Sequence, residues 1–432
     1  MPRQWLVVGL CFLVAMLDGI DTASMGFVAP SLMADWHISR IAFGPVMSAV
    51  LLGFAIGAIV VGPFADQYGR RKVLILSVIV FGLFNAICSF SQSLPQLMVL
   101  RLLTGIGLGT AIPTAATLLS EYVPRRQRAF LVTVMFTGFA LGSGLAGVLA
   151  SGLLGSYGWR GVLLAGGVLP LLSVPLLLWL LPESARLLVV LGRPAEEIAK
   201  LLKWVCNANF SASTTFISHE ARLTASKIPV KLLFGDGYAL GTMLLWSSCF
   251  MGLLILYLVT GWLPTLISDA GYSVQQAASI AAMFQLGSMP GALIVGFLMV
   301  RLESTRVVAA AYFFGAIAIF TLGASMLNLG WLPIQVAIAG FFIGGAQTGL
   351  NALAPAFYPT QARATGVSWM NGIGRGGAIV GALVGGLLLS LGWQFGAVFT
   401  ALAMPAMFAA GAVILSRYAS RSIVREAVPQ SH

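Results

Sequence analysis

Two aspartates stand three residues apart in the first apolar stretch of the chain. Asp18 and Asp21 therefore share one face of the helix that this stretch would form. Two carboxylates at this spacing resist ionising together, and an apolar environment penalises a charged carboxylate that has no partner. We expect at least one of them to bind and release a proton, and the sequence favours Asp21. A structural ion pair is the alternative, and it does not exclude this role.

Two arginines also lie inside apolar stretches. Arg101 is expected at the same depth as Asp21, which makes it the third member of the predicted proton-coupling group. Arg375 lies near the middle of its stretch, in a half of the chain without acidic residues in apolar stretches. Because a guanidinium can donate two parallel hydrogen bonds to a carboxylate, we predict that Arg375 binds the carboxylate of a substrate. The alternative is that helix carbonyls and the two aspartates accept the hydrogen bonds of Arg375.

Further polar residues in apolar stretches are candidates for substrate binding. Gln347 and Asn351 are four residues apart and so share a helix face, where they can bind a hydroxyl or a carboxylate of a small molecule. Thr114 and Asn371 complete the predicted set. For each of these residues, hydrogen bonding between helices is the alternative.

These polar residues stand in a chain with very few charges. Of its 432 residues, 59% are hydrophobic and only 9% are charged, and the mean hydropathy is +0.95. Soluble globular proteins carry about 25% charged residues. A soluble core cannot hide this much apolar surface, so the solvent must be lipid, which excludes a soluble enzyme and a disordered scaffold.

The apolar residues fall into twelve stretches of about 20 residues, the length that crosses a bilayer as a helix. The predicted spans are 5–28, 43–64, 73–93, 96–119, 129–152, 159–181, 239–266, 274–299, 307–328, 332–356, 365–389 and 394–416. The sequence thus predicts an all-α membrane protein of twelve transmembrane helices in two pseudo-symmetric six-helix bundles. The predicted domains are an N-terminal bundle (1–182), a cytoplasmic connector (183–237), a C-terminal bundle (238–417) and a cytoplasmic tail (418–432).

The positive charges predict the orientation of these helices. The chain has 24 Lys and Arg residues against 13 Asp and Glu residues, and all but four of the basic residues fall in segments that would share one side. Arg40 and Arg160 fall on the other side, and two lie within spans. Because basic loops stay in the cytoplasm, we expect both termini there. The net charge of +11 is therefore a topology signal, which dismisses nucleic acid as a partner.

The two halves repeat at an offset of about 235 residues. The matched positions include Pro30 with Pro264, Gly105 with Gly340, Gly109 with Gly344, and Arg128 with Arg363. Since each half has an even number of spans, the copies share an orientation. An axis along the membrane normal then relates them, an arrangement that places a substrate site at the midplane between the halves.

The remaining reactive residues form no recognisable centre. The four cysteines and the three histidines are scattered, without the spacing of a metal site or of a disulfide framework. We predict no cofactor, no metal and no enzymatic activity. A monomer embedded in the lipid bilayer is expected, with protons and a small molecule as its partners.

Several segments resemble the major facilitator superfamily. Residues 62–72 (Gly-Pro-Phe-Ala-Asp-Gln-Tyr-Gly-Arg-Arg-Lys) resemble its loop between helices 2 and 3, residues 101–109 resemble its helix-4 motif, and residues 182–186 resemble the end of helix 6 in its sugar and organic-anion branches. Residues 17–23 (Leu-Asp-Gly-Ile-Asp-Thr-Ala) and 357–375 are similar to the aromatic acid/proton symporters, in particular to bacterial 4-hydroxybenzoate/protocatechuate transporters. Residues 138–144 lack the Gly-Pro of the drug/proton antiporters.

The charged residues of the 62–72 segment suggest a conformational latch. Charges packed against a helix end can bias inward-facing against outward-facing states, and a basic loop that only enforces topology does not explain its aspartate. The predicted latch comprises Asp66, Gly69, Arg70, Arg71, Glu121, Arg128 and Arg363.

The resemblance implies proton-coupled uptake of a monocyclic aromatic carboxylate across a bacterial inner membrane by alternating access. Transport of another organic anion, such as a phenylpropanoid or an aliphatic acid, and organic-anion export are the alternatives.

Overall fold

The computed structural model describes residues 2–60, 65, 68–124, 127–190, 193–206, 214, 233–234, 238–324, 330–358 and 363–426. Over these ranges the regular secondary structure is helical and contains no strand. The helices are α1 (Pro2–Trp36), α2 (Arg40–Val60), α3 (Arg70–Cys88), α4 (Leu94–Tyr122), α5 (Arg128–Leu180), α6 (Ala185–Val190), α7 (Ala195–Cys206), α8 (Tyr238–Asp269), α9 (Val274–Arg301), α10 (Ser304–Ala324), α11 (Leu332–Phe357), α12 (Arg363–Ser390) and α13 (Phe395–Glu426).

Eleven of the described helices are long and apolar enough to cross a membrane. One of them, the Phe130–Leu180 part of α5, has 51 residues. As one straight helix at 1.5 Å per residue it would be about 75 Å long, more than twice the thickness of the hydrocarbon layer. Gly158 interrupts it with φ 62° and ψ −168°, a conformation that suits glycine. The element thus holds two crossings, and the chain has the twelve transmembrane helices that its hydropathy predicts.

Several helices extend beyond the predicted apolar spans. Hydropathy predicts the first span at 5–28, whereas α1 covers Pro2–Trp36. It predicts the last span at 394–416, whereas α13 continues to Glu426. Backbone hydrogen bonds sustain a helix outside lipid as well as inside it, so hydropathy marks the membrane core and not the helix end. Local signals mark some ends: Ser273 and Gln276 form a capping box at the start of α9, with hydrogen bonds of 3.1 and 3.2 Å.

The chain divides into two compact units. The first comprises Met1–Ser24, Ala49–Ala146 and Tyr157–Ala225, and the second comprises Met25–Ser48, Gly147–Ser156 and Ser226–His432. The second unit therefore includes the end of α1, the start of α2 and a short part of α5. The predicted division at residues 182, 237 and 417 follows sequence hydropathy, and it stays a prediction.

Glycines bring α2 and α4 into close contact in the first unit. A Cβ atom at Gly53 or Gly57 would collide with backbone of α4, and one at Gly105 or Gly109 would collide with backbone of α2. Small residues of this kind let transmembrane helices approach closely.

The second unit repeats this contact between α9 and α11. A Cβ atom at Gly287 or Gly291 would collide with backbone of α11, and one at Gly340 would collide with the carbonyl of Phe284. A Cβ atom at Gly344 would collide with Ser288. The glycine pairs that the sequence repeat predicts to be equivalent therefore occupy equivalent helix contacts.

The described part of the connector contains two helices. α6 and α7 lie within the predicted 183–237 segment, and Ile198 and Val205 of α7 are buried. Arg3 of α1 donates a hydrogen bond of 2.9 Å to the carbonyl of Trp204 and lies over its indole ring. This contact attaches the start of the first transmembrane helix to the connector.

Candidate functional site

Two aspartates of α1 and one arginine of α4 are completely buried. Asp18, Asp21 and Arg101 all have no exposed surface. Nη1 of Arg101 lies 2.8 Å from Oδ1 of Asp21, so the two side chains form a buried ion pair. Oδ1 of Asp18 accepts a hydrogen bond of 3.1 Å from the hydroxyl of Thr22 on the same helix. The predicted proximity of Arg101 and Asp21 is therefore present, and the role of the pair in proton transfer stays a prediction.

Asn85 of α3 joins this ion pair. Its Oδ1 accepts a second hydrogen bond from Nη1 of Arg101, at 3.2 Å, and Asn85 itself has no exposed surface. The sequence predicts no specific role for this residue. Its only signal in the sequence is an amide in an apolar stretch, and that signal does not reveal which helix face meets Arg101.

Close packing of α1 on α5 fixes the position of the two aspartates along α1 relative to α5. The hydroxyl of Ser143 donates a hydrogen bond of 3.1 Å to the carbonyl of Gly19, which lies between the two aspartates in sequence. A Cβ atom at Gly19 would collide with backbone of α5, and one at Gly142 would collide with the carbonyl of Met16. The glycines of the 138–144 segment thus hold α1 directly against α5.

The second unit carries Arg375 on α12. Its Nη1 donates a hydrogen bond of 3.0 Å to the hydroxyl of Tyr257 on α8, and the Arg375 side chain is partly exposed. The two helices are in direct contact, because a Cβ atom at Gly377 would collide with the carbonyl of Phe250. This contact corresponds in the repeat to that of Gly142 with Met16.

Gln347 lies in a buried polar cluster of the same unit. Its Oε1 accepts a hydrogen bond of 2.8 Å from the hydroxyl of Tyr312, and its Nε2 lies 3.5 Å from Sγ of Cys249. Its side chain is only 5% exposed. Helix contacts already use both ends of the amide, which favours the alternative of interhelical hydrogen bonding.

The other predicted substrate-binding residues lie in different surroundings. Asn351 and Asn371 are exposed, and Nδ2 of Asn371 donates a hydrogen bond of 3.1 Å to the carbonyl of Val367. Thr114 belongs to the first unit, where it lines a cavity of about 190 Å³ with Thr110, Thr117 and Arg70. Although their spacing places Gln347 and Asn351 on one helix face, Gln347 is buried and Asn351 is exposed.

Arg70 and Arg71 open α3 beside the end of α4. Arg70 forms an ion pair with Glu121, which accepts a hydrogen bond of 2.5 Å from the hydroxyl of Ser184. Gly69 precedes the helix with φ 112°, a backbone conformation that residues with a side chain rarely adopt. Four of the predicted latch residues thus lie in one cluster.

Glu183 is a further member of this cluster, and the sequence did not predict it. One of its carboxylate oxygens accepts hydrogen bonds from the backbone N–H groups of Arg71, at 3.0 Å, and Ser184, at 2.9 Å. A carboxylate at the first turn of α3 meets the positive end of the helix dipole. Tyr122 donates a hydrogen bond to the carbonyl of Glu183. The Pro-Glu-Ser segment at 182–184 was the available signal.

The structure says little about three of the predicted latch residues. Asp66 and the side chain of Arg363 lie outside the described residues. Arg128 begins α5 and is partly buried, and its Nε has no hydrogen-bond partner among the atoms that the structure describes.

Comparisons with known proteins agree with this architecture. Residues 11–375 match the model of the Major Facilitator Superfamily. The chain is 52% identical to the gallate transporter of Pseudomonas putida over 96% of its own length and 92% of that protein. It is 47% identical to the 4-hydroxybenzoate transporter PcaK of Pseudomonas aeruginosa over 98% and 94% of the two chains. Its fold is similar to the inward-open xylose transporter XylE from E. coli, with a TM-score of 0.73, 17% identity and 94% coverage of each chain.

Proposed function

Because the chain belongs to the Major Facilitator Superfamily, we propose that it imports a monocyclic aromatic carboxylate, of the benzoate or hydroxybenzoate type, together with protons by alternating access. It is a multi-pass membrane protein of a transporter family and is not an enzyme. The relatives named above carry gallate and 4-hydroxybenzoate, both benzoates with ring hydroxyls. A bacterial inner membrane, with both termini in the cytoplasm and the protein as a monomer, is part of the proposal.

The observation that carries this proposal is the guanidinium of Arg375 with its tyrosine partner. Tyr257 accepts from one nitrogen of Arg375 and so orients the planar group. A benzoate carboxylate can accept two parallel hydrogen bonds from a guanidinium. Arg375 is therefore assigned to the substrate carboxylate, with Gln347, Asn351 and Asn371 of the same unit as further proposed contacts. Thr114 of the first unit stays a separate proposal.

The ion pair of the first unit supports proton coupling. A carboxylate within a transmembrane helix is costly and usually functional, and here it is paired with Arg101 at 2.8 Å. When Asp21 takes up a proton, the pair loses its negative member and Arg101 loses its charged partner. The protonation state of Asp21 therefore changes the interactions that hold α1 against α4, with Asp18 as its neighbour on α1.

The charged cluster at the start of α3 serves as the latch. Arg70, Glu121 and Glu183 connect α3, the end of α4 and the segment after α5. Asp66 and Arg128 are proposed members of the latch as well, and Arg363 is proposed as the residue equivalent to Arg128 in the second half of the chain. Charged contacts at helix ends are suited to a two-state switch because they form in one arrangement and separate in the other.

Uptake into proteoliposomes tests the proposed function. The purified protein is reconstituted, and uptake of labelled benzoate, 4-hydroxybenzoate, gallate and a phenylpropanoid acid is measured with and without an inward proton gradient. We expect accumulation of a hydroxylated benzoate that increases with the gradient. Uptake indifferent to the gradient would remove the symport proposal, and uptake of only the phenylpropanoid would replace the substrate class.

A further inference from the structure

Arg101 uses one nitrogen for two acceptors on two different helices. Nη1 has two hydrogens, and it donates to Oδ1 of Asp21 at 2.8 Å and to Oδ1 of Asn85 at 3.2 Å. All three side chains are fully buried. The ion pair is therefore a three-membered cluster in which only two members carry charge.

The orientation of the Asn85 amide follows from its surroundings. If the amide were turned the other way, its N–H donors would face the guanidinium. The guanidinium has only donors, so no hydrogen bond could form. Nδ2 instead faces α5, where it lies 3.0 Å from the position of a Cβ atom at Gly166, and it has no hydrogen-bond partner among the described residues. Asn85 thus presents its acceptor to Arg101.

The two acceptors respond differently to a proton. The carboxylate of Asp21 loses its charge when it is protonated, whereas an amide oxygen does not titrate and accepts in either case. We propose that Asn85 is a positioning residue that holds the Arg101 guanidinium while Asp21 carries the proton. This inference rests on the proposed function, because it assumes that Asp21 is the group that takes up the proton.

Other titratable groups face the cluster. Asp18 lies one helical turn before Asp21 on α1, and Cys88 of α3 lies near both Arg101 and Asp21. At the seam with α1, α5 contributes the uncharged Ser143. A substitution at Asn85 leaves all of these groups in place, so a change in pH response would report on the Asn85 contact itself.

The test is the external pH at which uptake of labelled 4-hydroxybenzoate is half-maximal. Asn85→Leu removes the neutral acceptor, so Arg101 depends entirely on ionised Asp21, and we expect the midpoint to move about one pH unit lower. Asn85→Asp supplies a second carboxylate for Arg101, so we expect the midpoint to move about one unit higher. One pH unit corresponds to a tenfold change in proton affinity.

Two controls separate positioning from general damage. Ser77→Ala alters another buried polar residue of α3, which bonds to Thr110 and not to Arg101, and it should keep the wild-type midpoint. Thermal unfolding in detergent monitors folding. If Asn85→Leu does not fold, Asn85→Asp alone decides.

Unchanged midpoints in the Asn85 variants, with only the maximal rate reduced, would overturn the inference. Failure of the proposed function has a different signature, because the wild-type protein itself would then show no dependence on external pH.

Discussion

Nη1 of Arg101 lies 2.8 Å from Oδ1 of Asp21, and neither side chain has any exposed surface. A buried ion pair costs desolvation of both ions, and removal of one partner leaves an uncompensated charge. Such a pair is an inefficient means of stabilising a helix bundle. The proposed function gives the pair a different role, because Asp21 would gain and lose its charge during transport.

Asp21→Asn should abolish the response of uptake to a proton gradient. The amide cannot take up a proton, so gradient-driven accumulation of labelled 4-hydroxybenzoate should fall to the level of empty liposomes. The lone Arg101 charge should also lower the free energy of unfolding by about 3–5 kcal/mol.

The double variant Asp21→Asn with Arg101→Gln is the matched control. It removes both charges, so it should recover thermal stability without recovering coupling. Gradient-driven accumulation in the Asp21→Asn protein would show that another group carries the proton.

Arg375→Lys should weaken substrate binding while it keeps the charge. Lysine lacks the planar pair of donors, so the apparent KM for 4-hydroxybenzoate should rise about tenfold or more. Tyr257→Phe removes one hydrogen bond to Arg375, of about 1 kcal/mol, and should raise KM about fivefold. Arg306→Lys, at an exposed ion pair with Glu303, is the control and should have the wild-type KM. An unchanged affinity in Arg375→Lys would refute the carboxylate contact.

Glu121→Gln should slow transport without loss of membrane-inserted protein. It removes the carboxylate charge opposite Arg70, so the maximal uptake rate should fall while the protein level stays normal. The swap Arg70→Glu with Glu121→Arg restores opposite charges and should recover part of the rate. Asp66→Asn should also alter the rate, and wild-type transport in both single variants would argue against a latch.

Gly105→Val should destabilise the contact between α2 and α4. The new side chain would press on the backbone of Val50 and Gly53, and overpacking of this kind costs about 1–3 kcal/mol. Thermal unfolding in detergent measures the loss. Gly296→Val is the control, because a Cβ atom there meets nothing within 4 Å. Equal stability of the two variants would show that α2 and α4 can move apart freely.

Much of the fold could be predicted from the sequence. The twelve spans follow from apolar length, and the repeat follows from matched glycines such as Gly105 and Gly340, because both are properties of position along the chain. The proximity of Arg101 to Asp21 also followed from their expected depths in the membrane. Depth depends only on the distance of a residue from the end of its span.

The partners of each side chain required the tertiary structure. Arg101 bonds to Asn85, Arg71 bonds to Glu183, and Arg375 bonds to Tyr257. These pairs form because of how the helices are rotated and how closely the segments approach one another. Glycine contacts such as that of Gly142 with Met16 set these approaches. A hydropathy pattern fixes which residues are at membrane depth, whereas the rotation of a helix about its axis depends on the shape of its neighbours.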